Sequence, residues 1–252
     1  MTRRLHRAMG CFLVRTRLAW LPVRVRRGIA RGAWWSLFPW TSYWRGIYEP
    51  AVQVELLKLG DIRGWCCWDL GAHYGLYSIG LARRVGPTGE VAAFEPNPLS
   101  FHRLEYHRRL NRLGWLKLFP NAVSDRSEAA ELYTYGELEN TTTHLPYEDE
   151  PAQAACRPIA VECVRLDELV AAGRVRLPDL VKLDVEGHGH RAIAGMSETL
   201  ARKRPVFILA FHGDPEASAI RQILTRFGYR SRPIGDNLPD ATVGDFLFTP
   251  PA

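Results

Sequence analysis

The first 48 of the chain's 252 residues contain ten arginines but no lysine, aspartate or glutamate. Glu49 is the first carboxylate, and the rest of the chain carries 23 basic and 27 acidic residues. The formal net charge of +6 therefore comes from the N-terminal segment, because the remainder has a balance of −4. We expect no nucleic-acid partner, since the larger part of the chain is acidic overall and contains no recognition motif.

Long apolar runs and paired cysteines are also missing. No stretch approaches the roughly 18 uninterrupted apolar residues of a membrane-spanning helix, and residues 11–14 are too short for the core of a signal peptide. The cysteines form no C-x-x-C pair and no zinc-binding spacing. They are Cys11, Cys66, Cys67, Cys156 and Cys163. An odd and sparse set of thiols suits a reducing compartment, so we expect a cytoplasmic protein.

Tryptophan is concentrated in the acid-free segment, where five tryptophans lie among the arginines. They are Trp20, Trp34, Trp35, Trp40 and Trp44. We predict that residues 1–46 form a basic, aromatic-rich helical arm that caps a single domain of residues 47–252. An alternative is peripheral contact with the inner surface of an anionic membrane, which suits aromatic residues beside arginines.

What the sequence does contain is an apolar strand that runs into a glycine-rich turn. The apolar run that begins at Trp65 ends in Asp69, and Gly71 and Gly75 follow it. Residues 76–85 then repeat apolar side chains with helical spacing. This order is typical of the start of a nucleotide-binding α/β domain, although a turn without a ligand can have the same pattern.

The spacing of these glycines distinguishes between cofactors. A dinucleotide site has G-x-G-x-x-G, but His73 and Leu76 occupy the second and third glycine positions, which disfavours an NAD-dependent oxidoreductase. The next strand, residues 91–94, ends in Glu95, whose carboxylate could accept hydrogen bonds from two ribose hydroxyls. S-adenosylmethionine has a ribose and no phosphate. The pattern therefore indicates this cofactor, with Asp69 near the ammonium of its methionine part, directly or through water.

A second strand with a charged end comes later in the chain. Residues 180–183 lead into Asp184 and Glu186, and a helix is predicted over residues 188–200. Buried strands rarely carry charge without a function, and the spacing puts both acids on one side if the strand continues that far. A further strand ends in His212, a candidate base for which a structural hydrogen bond is the alternative.

The remaining pattern completes an α/β domain without internal repeats. Asn121 follows a strand at residues 116–119, and its amide could pair with an adenine edge or belong to a turn. Strands at residues 129–134 and 159–165 enclose a polar loop that we expect to shape the substrate pocket. Helices are also predicted at 52–59, 100–113, 167–171 and 217–227, and strands at 205–211 and, as the final edge strand, 246–248.

In this order the motifs resemble the FkbM family of S-adenosylmethionine-dependent methyltransferases over about residues 47–212. The matching segments are Tyr48-Glu49-Pro50, Asp69 to Ser78, Phe94-Glu95-Pro96, Ala122 to Asp125, Leu166-Asp167, Lys182 to Gly187 and Gly195-Met196. The resemblance implies a Rossmann-like class I methyltransferase fold with a mostly parallel, seven-stranded sheet flanked by helices. It also implies methyl transfer to a hydroxyl of a sugar, glycan or secondary metabolite.

The resemblance and the motifs together give a predicted site. The catalytic residues are predicted to be Asp184, Glu186 and His212, with orientation of the methionine ammonium or the acceptor as an alternative role for Asp184. The residues predicted to bind the cofactor are Glu49, Asp69, Gly71, Ala72, His73, Gly75, Glu95, Asn121, Ala122 and Asp184. No metal is expected, because no firm ligand spacing demands one, although the two acids and a histidine could supply ligands.

Three positions depart from the family pattern. His73 stands where asparagine is more common, and Gly189 and Ala210 stand where the family has acids. Because two acids are missing, an alternative is a catalytically degenerate protein that binds the cofactor and acts as a scaffold. A membrane-associated adaptor, in which the arm carries the function, is a further alternative.

Overall fold

A computed structural model describes residues 17–37, 43–135, 142–144 and 157–251. Its strands are β1 (Pro22–Arg24), β2 (Trp34–Ser36), β3 (Cys66–Leu70), β4 (Glu90–Phe94), β5 (Leu116–Phe119), β6 (Asn121–Ser124), β7 (Glu128–Tyr135), β8 (Thr142–His144), β9 (Arg157–Arg165), β10 (Leu180–Leu183), β11 (Val206–His212), β12 (Arg230–Pro233) and β13 (Val243–Thr249). Its α-helices are α1 (Pro50–Lys58), α2 (Leu76–Val85), α3 (Pro98–Leu110), α4 (Leu166–Ala171), α5 (Gly189–Ala194), α6 (Ser197–Arg202) and α7 (Asp214–Arg226).

The central sheet has seven strands in the order β12-β13-β11-β10-β3-β4-β5. Neighbouring strands from β11 to β5 are parallel, and β13 runs antiparallel to both β11 and β12. The predicted mostly parallel, seven-stranded sheet is therefore confirmed. The predicted strand at 246–248 is confirmed within β13, but its predicted place at the edge is wrong, because β13 lies inside the sheet and β12 forms the edge. Strand β12 carries exposed arginines and a proline, which suit an edge and give no apolar pattern.

Both faces of the sheet are covered, so every residue of β3 and β4 is buried. Cys67 and Ile208 contribute to a core shared with α1, α2 and α3. Trp68 and Phe207 point to the other face, into a core shared with α4 to α7. The period-two alternation along each strand therefore divides the interior into two layers.

The described part of the N-terminal segment is not the predicted helical arm. Residues 17–20 form a 3-10 turn, and β1 pairs with β2 in an antiparallel hairpin. Gly28 and Gly32 have φ of +75° and +78°. Glycine adopts such positive angles readily, and a right-handed helix cannot continue through them. The ring of the buried Trp35 stacks on His107 of α3 at 3.7 Å. The hairpin thus caps the domain through packed aromatic rings, whereas residues 1–16 and Trp40 lie outside the described residues.

A second sheet has the order β6-β9-β7-β8, and its strand β6 follows directly after the carboxyl end of β5. Thr142–His144 pairs antiparallel with the end of β7, so part of the predicted polar loop is a strand. Residues 136–141 and 145–156 of that loop lie outside the described residues. In the part of the chain that is described, no helix is both long and apolar enough to cross a lipid bilayer.

The predicted helix at 188–200 is two helices, α5 and α6. Gly195 lies against the backbone of β6, where a Cβ atom would overlap the carbonyl oxygen of Ser124. The Asp167 carboxylate accepts hydrogen bonds from the backbone N–H groups of Glu198 (2.9 Å) and Thr199 (2.8 Å). These contacts cap a new helix beginning at Ser197, because they satisfy N–H groups that a helix leaves unpaired at its start.

Candidate active site

The predicted glycine turn connects β3 to α2 at the carboxyl edge of the sheet. The backbone N–H groups of Gly71 and Ala72 both donate to the carbonyl oxygen of Phe94, at 3.0 and 2.9 Å. Gly71 has φ of +82° and lies so close to the end of β10 that a Cβ atom would overlap the carbonyl oxygen of Asp184. Gly75 has φ of +89° and closes the turn at the start of α2. The turn thereby brings the ends of β3, β4 and β10 together.

Gly71→Ala tests this close approach. The substitution combines an unfavourable positive φ with overlap on the Asp184 carbonyl, so we expect it to lower the free energy of unfolding by about 3 kcal/mol or more. Gly60→Ala is the matched control, because Gly60 has φ of +71° and nothing within 4 Å of a Cβ atom. Urea denaturation should give a loss of only about 1 kcal/mol for the control. Equal losses in the two variants would show that contact with Asp184 is unimportant.

His73 occupies a left-handed backbone position, with φ of +50°. Asparagine, aspartate and histidine are the non-glycine residues enriched there, which accounts for histidine where asparagine is more common. Its ring stacks on Tyr74 at 3.8 Å, and its Nδ1 lies 2.9 Å from the hydroxyl of Tyr43. Burial lowers the pKa of His73 to about 4, so the imidazole is neutral at physiological pH.

Glu95 follows β4 directly and is 4% exposed. Its Oε2 accepts a hydrogen bond from the backbone N–H of His73 (2.7 Å), and its Oε1 accepts one from Asn97 (2.9 Å). Burial raises the pKa of Glu95 to about 7, although these two hydrogen bonds oppose the shift. A carboxylate offers about four acceptor positions, so Glu95 retains capacity for a pair of ribose hydroxyls.

Asp69 lies fully buried beneath the turn. Its Oδ2 accepts a hydrogen bond from the Ser78 hydroxyl at 2.5 Å, and its Oδ1 has no hydrogen-bond partner among the described residues. Burial raises the pKa of Asp69, and the charge of Lys182 opposes this shift. An unpaired buried carboxylate oxygen fits a nearby ammonium or an ordered water, so this donor set is compatible with the methionine part of S-adenosylmethionine.

The structure brings the three predicted catalytic residues together. His212 Nε2 lies 2.9 Å from Asp184 Oδ1, and His212 Nδ1 lies 3.3 Å from Glu186 Oε2. Burial by itself would lower the pKa of His212, but the hydrogen bond to Asp184 and the charges of both acids raise it. His212 therefore holds its proton more firmly than an ordinary histidine and links the two carboxylates.

Lys182 is the buried counter-ion of this group. Its Nζ lies 2.9 Å from Asp184 Oδ2 and 4.9 Å from the centre of the Tyr77 ring. Burial by itself would lower the pKa of Lys182, but the carboxylates of Asp184, Glu49 and Asp69 raise it. Burial would likewise raise the pKa of Asp184, but Lys182 and His212 hold it below its usual range. Both partners are therefore charged at neutral pH.

Glu186 reaches the cluster from a turn, because β10 ends at Leu183. Glu186 has φ of +51° and Gly187 has φ of +91°, so strand alternation does not place it beside Asp184. One ligand atom from each of Asp184, Glu186 and His212 lies within 4.8 Å of the others. A divalent ion could bridge such atoms, but the Lys182 ammonium already neutralises Asp184.

Three other predicted residues lie around this centre. Glu49 has φ of +42°, and its Oε2 accepts a hydrogen bond from the Tyr77 hydroxyl at 2.7 Å. Asn121 and the buried Ala122 begin β6, and the Asn121 amide donates to the carbonyl oxygen of Glu162 at 3.3 Å. Asn121 is therefore a strand residue rather than a turn residue. The proposed pairing of its amide with adenine stays a prediction.

Glu216 is a site residue that sequence reasoning missed. It is 2% exposed, and its two oxygens accept hydrogen bonds from the backbone N–H groups of Gly189 (2.7 Å) and His212 (2.8 Å). A Cβ atom on Gly189 would lie 2.7 Å from both Glu216 Oε1 and Leu183 Cδ2. A larger residue at position 189 would have to displace these side chains, and the carboxylate beside this position comes from α7.

This chain is similar to known proteins along much of its length. The Methyltransferase FkbM domain model matches residues 69–231. The chain is 26% identical over 165 residues to the hexuronic acid methyltransferase AglP of Haloferax volcanii, covering 63% of this chain and 60% of that protein. It is 29% identical over 190 residues to the 2-O-methyltransferase NoeI of Sinorhizobium fredii, covering 68% of this chain and 74% of that protein.

A solved structure shows the same fold. The methyltransferase FkbM of Methylobacillus flagellatus superposes with a TM-score of 0.54 at 15% identity, covering 77% of this chain and 46% of the other. The chain thus spans less than two thirds of the length of this protein and of the Haloferax enzyme. The family model, in contrast, matches more than half of the chain. On this evidence the chain belongs to the FkbM methyltransferase family.

Proposed function

We propose that the protein is an S-adenosylmethionine-dependent O-methyltransferase that acts on a hydroxyl of a sugar or glycan. The observation that carries this proposal is the contact of Gly71 with the end of β10. It unites a carboxylate suited to ribose, Glu95, with the cluster of Asp184, Glu186 and His212 at one edge of the sheet. The names of the two curated relatives, a hexuronic acid methyltransferase and a 2-O-methyltransferase, support a sugar hydroxyl as the acceptor.

When bound, S-adenosylmethionine supplies a methyl group on a sulfonium. Glu95 would hold the ribose hydroxyls, and Asp69 would face the methionine ammonium directly or through water. Asp184 keeps its negative charge through Lys182 and His212, so it can orient a hydroxyl or an ammonium. Because both nitrogens of His212 face carboxylates, the geometry favours His212 as an orienting group over its predicted role as the base. Correct alignment of the reacting atoms can supply much of the rate enhancement.

The proposal is tested by incubating the purified chain with S-adenosylmethionine and a panel of hydroxyl acceptors. The panel should contain free and glycosidically linked hexuronic acids, hexoses with a free 2-hydroxyl, and non-sugar alcohols and phenols. We expect release of S-adenosylhomocysteine together with a methyl ether on a sugar. Cofactor binding without transfer to any acceptor would instead favour the catalytically degenerate scaffold.

Peripheral contact of residues 1–46 with an anionic membrane is a separate proposal. On the described hairpin Trp34 is 37% exposed, and the centre of its ring lies 3.8 Å from the Arg24 guanidinium carbon, while Leu21 is 48% exposed. Flotation of the full chain with anionic and neutral liposomes tests it. Equal flotation with both kinds would contradict an electrostatic contact.

A further inference from the structure

Asp245 of β13 lies beside the site on a neighbouring strand. In the antiparallel pair of β11 and β13, Asp245 stands directly opposite Ala210. Such partners share a face of the sheet, with Cβ atoms about 4.5–5.5 Å apart. Lys182 is opposite Ile208 in the parallel pair of β10 and β11. The face that carries Lys182 therefore also carries the residues two positions further along, Asp184 and Ala210.

The environment of Asp245 contains the charges of the site. Burial and the charges of Glu49 and Asp184 together raise the pKa of Asp245 to about 6, against the opposing charges of Lys182 and His212. The side chain is half-buried. Its carboxylate makes no hydrogen bond and no ion pair with the described residues, so it is available to accept a proton.

The other carboxylates at this edge of the sheet each accept at least one hydrogen bond or ion pair, although the fully buried Asp69 keeps Oδ1 without a partner among the described residues. Glu49 accepts from Tyr77, and Asp69 accepts from Ser78. Asp184 is bonded to both Lys182 and His212, and Glu186 lies 3.3 Å from His212. A base must be able to reach the proton that it removes, and groups bound to a buried cation are poorly suited to do so. This comparison singles out Asp245.

We infer that Asp245 supplies, from β13, the carboxylate that the family pattern places at position 210, and that it accepts the proton of the acceptor hydroxyl. The inference rests on the proposed methyl transfer. The acceptor oxygen forms a bond to the methyl carbon while the carbon–sulfur bond breaks. The electron pair of the broken bond stays on the sulfur, which becomes a neutral thioether. The hydroxyl proton passes to Asp245, so charge and atoms balance.

This assignment is tested on the full chain by removing the carboxylate at position 245 and introducing one at position 210. General base catalysis contributes roughly 10²–10⁴-fold, so Asp245→Asn should lower kcat by at least about 100-fold. The Kd for S-adenosylhomocysteine should stay within about twofold of the wild-type value. The double variant Asp245→Asn with Ala210→Glu should recover at least about tenfold of the lost kcat, because the new side chain enters the same face of the sheet.

The matched control is Asp236→Asn, an exposed carboxylate in the segment before the same strand, and it should leave kcat unchanged. In the wild type, kcat should rise as the pH increases through about 6, because Asp245 ionises there. The pH profile of Asp245→Asn should lack this rise. An unchanged kcat in Asp245→Asn, or a loss that Ala210→Glu does not restore, would overturn the inference. A wild-type chain that binds S-adenosylhomocysteine but methylates no acceptor would instead refute the proposed function, and this inference with it.

Discussion

Glu95→Gln is expected to raise the Kd for S-adenosylhomocysteine by about 100-fold. Each hydrogen bond to a charged group contributes about 1.5–3 kcal/mol, and two bonds to the ribose would be weakened. The substitution also disturbs the site itself, because both Glu95 oxygens accept hydrogen bonds from backbone N–H groups, those of His73 and Asn97. A glutamine has one acceptor oxygen, so its NH₂ group must face one of these donors.

The matched control lies at the other end of the same strand. Glu90 is also buried, its Oε1 accepts from the backbone N–H of Arg176 at 3.0 Å, and its Oε2 pairs with Lys117 at 2.8 Å. Glu90→Gln removes the same charge but should leave the Kd within about twofold of wild type. Isothermal titration calorimetry measures both variants. Similar losses of affinity would mean that Glu95 acts only by holding β4 in place.

The affinity of the wild-type site should also depend on pH. The pKa of Glu95 is raised to about 7, and the ionised carboxylate is the better acceptor for hydroxyl groups. Binding of S-adenosylhomocysteine should therefore tighten as pH rises from about 6 to about 8. Glu95→Gln should lack this dependence.

Lys182→Met is expected to lower the free energy of unfolding by about 3–5 kcal/mol, the range for breaking a buried ion pair. Lys182 is 4% exposed, and its ammonium lies 2.9 Å from Asp184. Its charge also acts on Asp69, which is fully buried. Removing the cation leaves these carboxylates in a poorly solvated place without a counter-ion.

The sign of the pH dependence follows from Asp184, whose pKa lies below its usual range in the folded wild type. A carboxyl group whose pKa is lower in the folded chain than in the unfolded chain stabilises the fold at any pH above its unfolded-state pKa of about 4. This stabilisation is lost as the pH falls towards the folded-state pKa. The variant loses the part of this pKa depression that Lys182 supplies, while His212 remains. The difference in stability between wild type and Lys182→Met should therefore shrink below about pH 4.

Lys203→Met is the control for this variant. Its Nζ lies 2.6 Å from Asp179, but its side chain is 38% exposed, and exposed ion pairs contribute about 0–1 kcal/mol. Urea unfolding at neutral pH compares the two variants. A loss in Lys182→Met as small as that in the control would show that Lys182 is not the counter-ion of the site.

The central fold was predictable because its signals are local. The apolar runs of β3 and β4 end in Asp69 and Glu95, the expected signature of parallel strands whose carboxyl ends face a ligand. Helices α1 and α3 begin at Pro50 and Pro98, earlier than the apolar spacing indicates, since proline is favoured in the first turn of a helix.

The parts that were not predictable depend on contacts between distant segments. The register of β11 against β13 places Asp245 beside Ala210, and no local pattern encodes that pairing. Glu216 reads as an ordinary helix residue until α7 packs beside Gly189 and His212. The N-terminal hairpin was misjudged because its stability comes from packing of rings such as Trp35 on α3, which outweighs local propensity.

The most direct test of the account is a calorimetric titration of the wild-type chain with S-adenosylhomocysteine. The contact between Gly71 and Asp184, the Glu95 carboxylate and the unpaired Oδ1 of Asp69 predict one site with a Kd below about 1 mM, and no competition from NADH. A folded chain that shows no binding at millimolar S-adenosylhomocysteine, or that binds NADH in its place, would contradict the account.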